Sequence, residues 1–142
     1  MFQGDDVTMS AESRFLTLLR LLAGHWSKHP PVTPVLAAGS TGTVPAAAAV
    51  LDAVAHAPQG AVILPGLDRV LPGDVWTKVD DLHPQGALKL LLERGGISRA
   101  DVRPWPVPDG IDQTGRRARE RVLNEALRPA ETTGDWRTAI SG

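Results

Sequence analysis

Asp68, Asp74, Asp80 and Asp81 form the chain's main run of carboxylates. Carboxylates grip hard cations such as Mg²⁺ or Ca²⁺ when their spacing lets several oxygens converge. These four have neither EF-hand nor two-metal spacing, and no histidine is interleaved with them in a metal-binding pattern. Asp68 draws the most interest because it follows the apolar run Ala61-Val-Ile-Leu64 through Pro65-Gly66. The carboxyl ends of strands are where open α/β sheets bind ligands. Its plainer reading is a turn-forming aspartate whose side chain bonds the backbone just ahead.

The second candidate is Gly39-Ser40-Thr41-Gly42-Thr43, between an apolar run and a helical pattern. A strand-to-helix turn can cradle phosphate with backbone amides and a helix N-terminus. The phosphate-loop pattern needs GxxxxGK followed by Ser or Thr, with the lysine on the β- and γ-phosphates. No lysine is present and the spacing differs, so Ser40 and Thr41 stay candidates as strand-end residues only. The plainer reading is a tight turn with Thr43 capping the next helix.

His25, His29, His56 and His83 are scattered and form neither HxxxH nor HExxH. Arg116, Arg117, Arg119 and Arg121 make the densest basic cluster. On a helix, Arg117 and Arg121 share a face, and Arg116 and Arg119 are neighbours. Such a stripe can meet DNA phosphates, though a solvated face paired with Glu120 and Glu125 accounts for it equally well. Trp26, Trp76, Trp105 and Trp136 could each stack a base but read mainly as packing residues. These residues assign no catalytic, nucleotide-binding or metal-binding role.

The elements that would position them follow from periodicity. Ser10 or Ser13 caps a helix whose Phe15, Leu18, Leu19 and Leu22 make an apolar stripe extended by Trp26, with His29-Pro30-Pro31 as its stop. Pro34 to Ala38 predicts a strand buried on both faces, the parallel-sheet pattern. Pro45 lies in the first turn of a helix over Ala46–Ala57, whose face is Ala46, Val50, Ala53 and Val54. Ala61–Leu64 predicts a second buried strand. Strand, helix and strand within about thirty residues make a βαβ unit, for which a right-handed crossover is expected.

Arg69–His83 reads as irregular and as lying over the sheet edge. Pro84–Arg94 is a third helix with Leu88, Leu91 and Leu92 inward, ended by Gly95-Gly96. A short strand is expected at Val102-Arg103, then an extended stretch held by Pro104, Pro106 and Pro108. Gly115–Leu127 is a fourth helix with Val122, Leu123, Ala126 and Leu127 as its apolar face.

Composition bounds what these elements can do. With 42% hydrophobic and 22% charged residues among 142, the chain suits one ordinary domain or a piece of a larger one. The 12 Pro and 14 Gly residues predict frequent turns. A formal net charge of −1 supplies no global field for DNA, so nucleic-acid contact must be local. The absence of cysteine excludes disulfides, cysteine zinc sites and iron–sulfur ligation within this segment and fits a reducing cytoplasm. The N-terminal MFQGDDVTMS lacks a signal-peptide layout, and no apolar run nears the ~20 residues that span a bilayer. A soluble, cytoplasmic chain with no membrane partner is expected.

Five segments taken in order resemble the AddB family, in its alphaproteobacterial form. They are Pro34-Val-Leu-Ala-Ala-Gly-Ser-Thr-Gly-Thr-Val-Pro45; Gly60-Ala-Val-Ile-Leu-Pro-Gly-Leu-Asp68; His83-Pro-Gln85 with Leu88-Lys-Leu-Leu-Leu-Glu-Arg94; Val102-Arg-Pro-Trp105; and Ala126-Leu-Arg-Pro-Ala-Glu-Thr-Thr133 with Trp136. Each is weak alone; the series is specific, and it runs roughly from Phe15 to Trp136. AddB proteins are much longer. They resemble a superfamily 1 helicase joined to a C-terminal nuclease domain with a cysteine-held iron–sulfur cluster. They pair with AddA, bind duplex DNA ends, and feed resected strands into recombinational repair of double-strand breaks. The complex uses Mg²⁺ and ATP.

The resemblance implies an α/β fold: a partial RecA-like (P-loop helicase-like) parallel sheet flanked by helices. Residues 15–136 would be part of the inactivated helicase-like domain, 1–14 an N-terminal extension and 137–142 a cut tail. It further implies that the first strand stands where active helicases end in the acidic pair that holds Mg²⁺. Here that end reads Ala38-Gly-Ser-Thr-Gly42, without a carboxylate, so ATP hydrolysis has no site. The second strand would lead into the γ-phosphate-sensing loop, here Pro65-Gly-Leu-Asp68. One departure stands out: the family leads one to expect an aromatic residue soon after His83-Pro-Gln85, where this chain has Gly86-Ala87, so a packing contact would be lost.

The expected function is a structural, DNA-recognising segment of an ATP-dependent helicase–exonuclease subunit, inactive alone and without a cofactor of its own. Two other classes stay open. One is a small stand-alone doubly wound enzyme acting near Ser40 and Asp68. The other is an interaction module docking through the Arg116–Arg121 helix.

Overall fold

The computed structural model describes residues 10–106, 108, 114–129 and 132. Trp136 and the 137–142 tail lie outside the described residues, as do 1–9 of the N-terminal extension. The chain forms two compact units, Met1–Pro65 and Gly66–Gly142.

The first unit is a βαβ element preceded by a helix. Helix α1 spans Ala11–Trp26, so its first turn takes in the last residues of the 1–14 extension. It starts where Ser10 accepts a hydrogen bond from the Ser13 amide at 3.1 Å, which satisfies one of the donors a helix start leaves free. Glu12 in its first turn suits the helix dipole. The strands β1 (Val35–Ala38) and β2 (Gly60–Ile63) pair in parallel, Val35 opposite Gly60 and Ala38 opposite Ile63. Helix α2 (Pro45–Ala55) connects them, with proline in its first turn where no N–H is needed. It packs against both strands, and α1 packs along α2. The core is small-residue packing: Ala23, Ala46, Ala48, Leu51, Ala53, Val54 and Ala57 are buried.

Two expectations change here. The strands are not buried on both faces. Burial alternates along β1, and Leu36 is 62% exposed, because the described residues of this unit cover one face of the sheet with α2 and leave the other open. The inward stripe of α1 is also rotated. Leu19, Leu22 and Trp26 of the expected stripe turn inward with Leu16 and Ala23, while Phe15 and Leu18 stand out with Leu21. An apolar excess on α1 made two neighbouring stripes equally plausible from periodicity.

The second unit holds α3 (Gly73–Thr77), α4 (Gly86–Arg94) and α5 (Thr114–Ala126), with a 3₁₀ turn at Arg99–Asp101. The stretch read as irregular contains α3, and Leu71, Val75 and Val79 cluster with Trp76 packed against them. In α4, Leu88, Leu91 and Leu92 are buried as expected. Its end is closed by two bonds, Gly96 N–H to the Glu93 carbonyl at 3.2 Å and Ile97 N–H to the Leu92 carbonyl at 2.9 Å. Gly96 takes φ +63° to allow them.

The strand expected at Val102-Arg103 is absent: Ser98 instead caps the 3₁₀ turn by accepting from Ala100 N–H, and Val102 only ends it. The apolar residues expected inward on α5 are exposed, Val122 at 59% and Leu123 at 57%. The described chain thus mixes helices with a small two-stranded parallel sheet, and no helix in it is long and apolar enough to cross a membrane.

Candidate functional site

The loop after β1 is a turn, as its plainer reading held. Gly39 and Gly42 take φ +80° and +69°, conformations that side-chain-bearing residues rarely adopt. Ser40 Oγ accepts from the Gly42 amide at 3.2 Å, which folds the loop on itself. Ser40 and Thr41 are half-buried and Gly42 is buried. Thr43 does not cap α2. The cap position falls on Val44, which offers no side-chain bond, because Pro45 sets the first helical residue one step later than a Thr43 cap requires.

The segment after β2 is fastened more heavily, and it gathers residues that periodicity did not single out. Asp68 Oδ1 accepts from the amides of Val70 and Leu71 at 2.8 and 2.9 Å. This is the turn-forming role of aspartate, and it commits that oxygen to the backbone. Gln85 reaches in from the start of α4. Its Oε1 accepts from the Asp68 amide at 2.9 Å, and its Nε2 donates to the Gly66 carbonyl at 3.0 Å. Arg99 donates through its two terminal nitrogens to the carbonyls of Asp68 at 3.2 Å and Leu71 at 2.7 Å. Its guanidinium lies 4.5 Å from the centre of the Trp76 ring, a cation–π contact. Strand exit, α3, α4 and the 3₁₀ turn are therefore joined through one set of charged and amide side chains bonded to backbone.

A parallel arrangement holds the next turn. Asp80 Oδ1 accepts from the Leu82 and His83 amides at 3.1 and 2.9 Å. His83 Nδ1 accepts from the Gln85 amide at 3.0 Å, and Nε2 lies 2.7 Å from the Leu127 carbonyl. The ring thus spans from the Gln85 amide to the Leu127 carbonyl, just beyond α5. His83 is thereby a structural tie between this turn and the end of α5. Lys89 Nζ donates to the carbonyls of Thr77 and Val79 at 2.9 and 2.8 Å, near the end of α3. The space beside Gly86 is filled by backbone: a Cβ there would lie 2.1 Å from the Asp80 carbonyl oxygen. The Asp80 turn thus approaches Gly86 more closely than any side chain there could tolerate.

An open cavity of about 360 Å³ lies in this unit, lined by Trp76, Lys89, Leu92, Glu93, Ser98 and Arg99 with Ile97 and Ala100. That volume falls at the low end for small-molecule sites. Its two cations already serve backbone carbonyls, so its polar groups face the fold as much as the opening.

Among the remaining candidates, His25 and His29 stack with ring centres 5.2 Å apart, and His56 Nδ1 lies 3.3 Å from Asp52 Oδ1 on α2. Asp74 sits in the first turn of α3 and Asp81 is exposed. No group of three His, Cys, Asp or Glu among the described residues could hold a metal ion. Arg116, Arg117, Arg119 and Arg121 all fall on α5 as expected, and Arg119 and Arg121 are exposed. The structure brings Asp68 together with Gln85 and Arg99, while Ser40 and Thr41 belong to the other unit.

Two signals could have pointed to the missed residues. Gln85 follows the turn pair His83-Pro84, and Leu71, Val75 and Val79 recur at helical spacing. Comparison of the chain with protein-family models, with curated proteins and with solved structures finds no match.

Proposed function

We propose that the chain is a segment of an AddB-type subunit, part of a RecA-like helicase domain that recognises DNA and no longer hydrolyses ATP. The one observation that carries this reading is the use made of the two strand exits. Two adjacent parallel strands joined by a helix are the arrangement from which a motor domain grips Mg-nucleotide. Here the exit of β1 is a Gly-Ser-Thr-Gly turn closed on itself. After β2, Asp68 turns Oδ1 onto two amides, with Gln85 and Arg99 clamping the same loop. The first exit has no carboxylate or lysine, and in the second one oxygen of Asp68 is committed to two backbone amides.

The groups present do not fit the cofactors of the parent family. There is no cysteine for an iron–sulfur cluster, and no Lys in the Gly39–Thr43 loop for Mg-ATP. In this reading the partners are an AddA-type helicase–nuclease subunit and DNA ends, in the cytoplasm, and the exposed α5 arginines (Arg119 and Arg121, on the helix that also carries Arg116 and Arg117) are candidate phosphate contacts. Two experiments test it. The chain should co-purify with an AddA-type subunit, and it should bind DNA ends without turning over ATP. DNA-stimulated ATP hydrolysis abolished by Ser40→Ala or Asp68→Ala would overturn it.

A second reading, a protein-interaction module, is favoured by one observation. Phe15, Leu18 and Leu21 stand 59%, 63% and 64% exposed on one side of α1, an apolar face of the kind a protein partner can cover. Tight binding to a protein partner with no affinity for DNA would favour this reading over the first.

A further inference from the structure

We propose that Trp105 is a stacking platform for the bases of single-stranded DNA, with Arg103 as the phosphate contact beside it. The proposal rests on the DNA-recognition reading above and names the form of DNA that one part of the chain takes.

The described tryptophans are held differently. Trp26 is half-buried on α1. Trp76 packs on Leu71, Val75 and Val79 and has Arg99 over its ring. Trp105 is 66% exposed, unusual for a side chain that gains so much from burial. Val102 is half-buried at the end of the 3₁₀ turn, which roots the segment in the same Arg99 clamp that closes the strand-exit loop. Pro104 and Pro106 flank the indole and fix the backbone on either side, so presenting the ring costs little further conformational entropy. Arg103, two positions before it, is exposed as well.

An exposed indole beside a cation recognises a base face and the phosphate next to it. Within a duplex the bases are stacked on one another and only the terminal pairs leave a face free, whereas a single strand offers each of its bases. The chain's net charge of −1 supplies no broad positive groove, so stacking must contribute a larger share of the affinity than charge. Thr114, where α5 begins, is nine positions after Trp105. At about 3.5 Å per extended residue the arginine helix starts within roughly 30 Å, so one bound strand could reach both.

The test is anisotropy of the full chain with a labelled oligothymidylate and with a duplex of equal length closed by a hairpin at each end, which leaves no terminal base face. The single strand is expected to bind. Trp105→Ala should weaken it roughly 5- to 150-fold, the range of one stacked base, and leave duplex affinity unchanged; Trp105→Phe should keep most of the affinity, and Trp26→Phe all of it. Arg103→Ala should flatten the log–log salt dependence by about 0.7. Trp105→Lys separates stacking from charge, since it removes the ring and adds a cation. Weaker binding supports the platform; equal or tighter binding overturns it. Unchanged single-strand affinity in Trp105→Ala overturns the platform while the DNA reading stands. Failure of the unmodified chain to bind any DNA removes that reading, and this proposal with it. Loss of AddA-type co-purification in Trp105→Ala with single-strand affinity intact makes Trp105 a protein contact and overturns the proposal.

Discussion

In the first unit, α2 brings Ala46, Ala48, Ala53 and Val54 to the interior, and its alanines let backbones approach closely. In the second, much of the organisation comes from polar side chains reaching backbone: Asp68, Asp80, His83, Gln85, Lys89 and Arg99 together close the turns between helices. Close packing of small residues tolerates no added volume, because neighbouring backbones have nowhere to go. A network of side-chain to backbone bonds tolerates bulk at its edges, but losing a member leaves its partners short of a bond. The two units should therefore fail to different kinds of substitution.

Gly60→Ala should have the largest effect. An added Cβ would lie 1.8 Å from the Val54 carbonyl oxygen and 3.0 Å from the Ala57 side chain, so the turn from α2 into β2 must open. A loss of about 2–4 kcal/mol is expected, at the upper end for overpacking. Amide hydrogen exchange should show it in α2 and both strands, with α4 protected as before. Equal loss of protection in α4 would show that the two units unfold together and would blunt the contrast drawn here. Gly86→Ala is the matching probe in the second unit, where the Cβ meets the Asp80 carbonyl, with a loss of about 1–3 kcal/mol in the melting free energy.

Arg99→Ala comes next. It removes two bonds to carbonyls and the cover over Trp76. Hydrogen bonds from charged groups contribute about 1.5–3 kcal/mol net, and partial exposure of Arg99 puts the expected loss near the lower figure. Arg99→Lys should recover little, since one ammonium cannot reproduce a planar fork that serves two carbonyls and stacks on a ring. Full recovery by lysine would show that charge alone, and not the fork geometry, matters at this position.

Four of the five described α-helices and the two strands were legible in the sequence, where near neighbours mark them: a serine cap before α1, proline in the first turn of α2, Gly95-Gly96 after α4; the short α3, inside a stretch read as irregular, was not. The plainer roles of Asp68 and the Gly39–Thr43 turn were legible for the same reason. The joined site was not. Gln85 reaches Asp68 across 17 positions and Arg99 reaches it across 31, and no local pattern reports which backbone groups a distant loop leaves short of partners. Burial also escaped periodicity wherever apolar residues exceed what the described chain covers. Leu36, Phe15, Leu18, Val122 and Leu123 carry the pattern of a core but face outward.

Gln85→Ala and Ser10→Ala complete the series at its small end and set the two units against each other on equal terms, since each removes only a side-chain bond to backbone. Gln85→Ala takes away the acceptor for the Asp68 amide and the donor to the Gly66 carbonyl. Both groups are near enough to the surface for water to replace part of the loss, so about 1–2 kcal/mol is expected. Ser10→Ala removes the α1 cap from the Ser13 amide and should cost about 0.5–1 kcal/mol, read as fraying of the first turn by hydrogen exchange. If the second unit does depend on polar ties, Gln85→Ala must cost more than Ser10→Ala, and its effect must spread from Asp68 into α4 instead of staying in one turn. A Gln85 variant whose exchange changes only at Gly66–Asp68 would mean that the leucines of α4 hold the unit by themselves, and the contrast with the alanine-packed unit would then be one of surface detail.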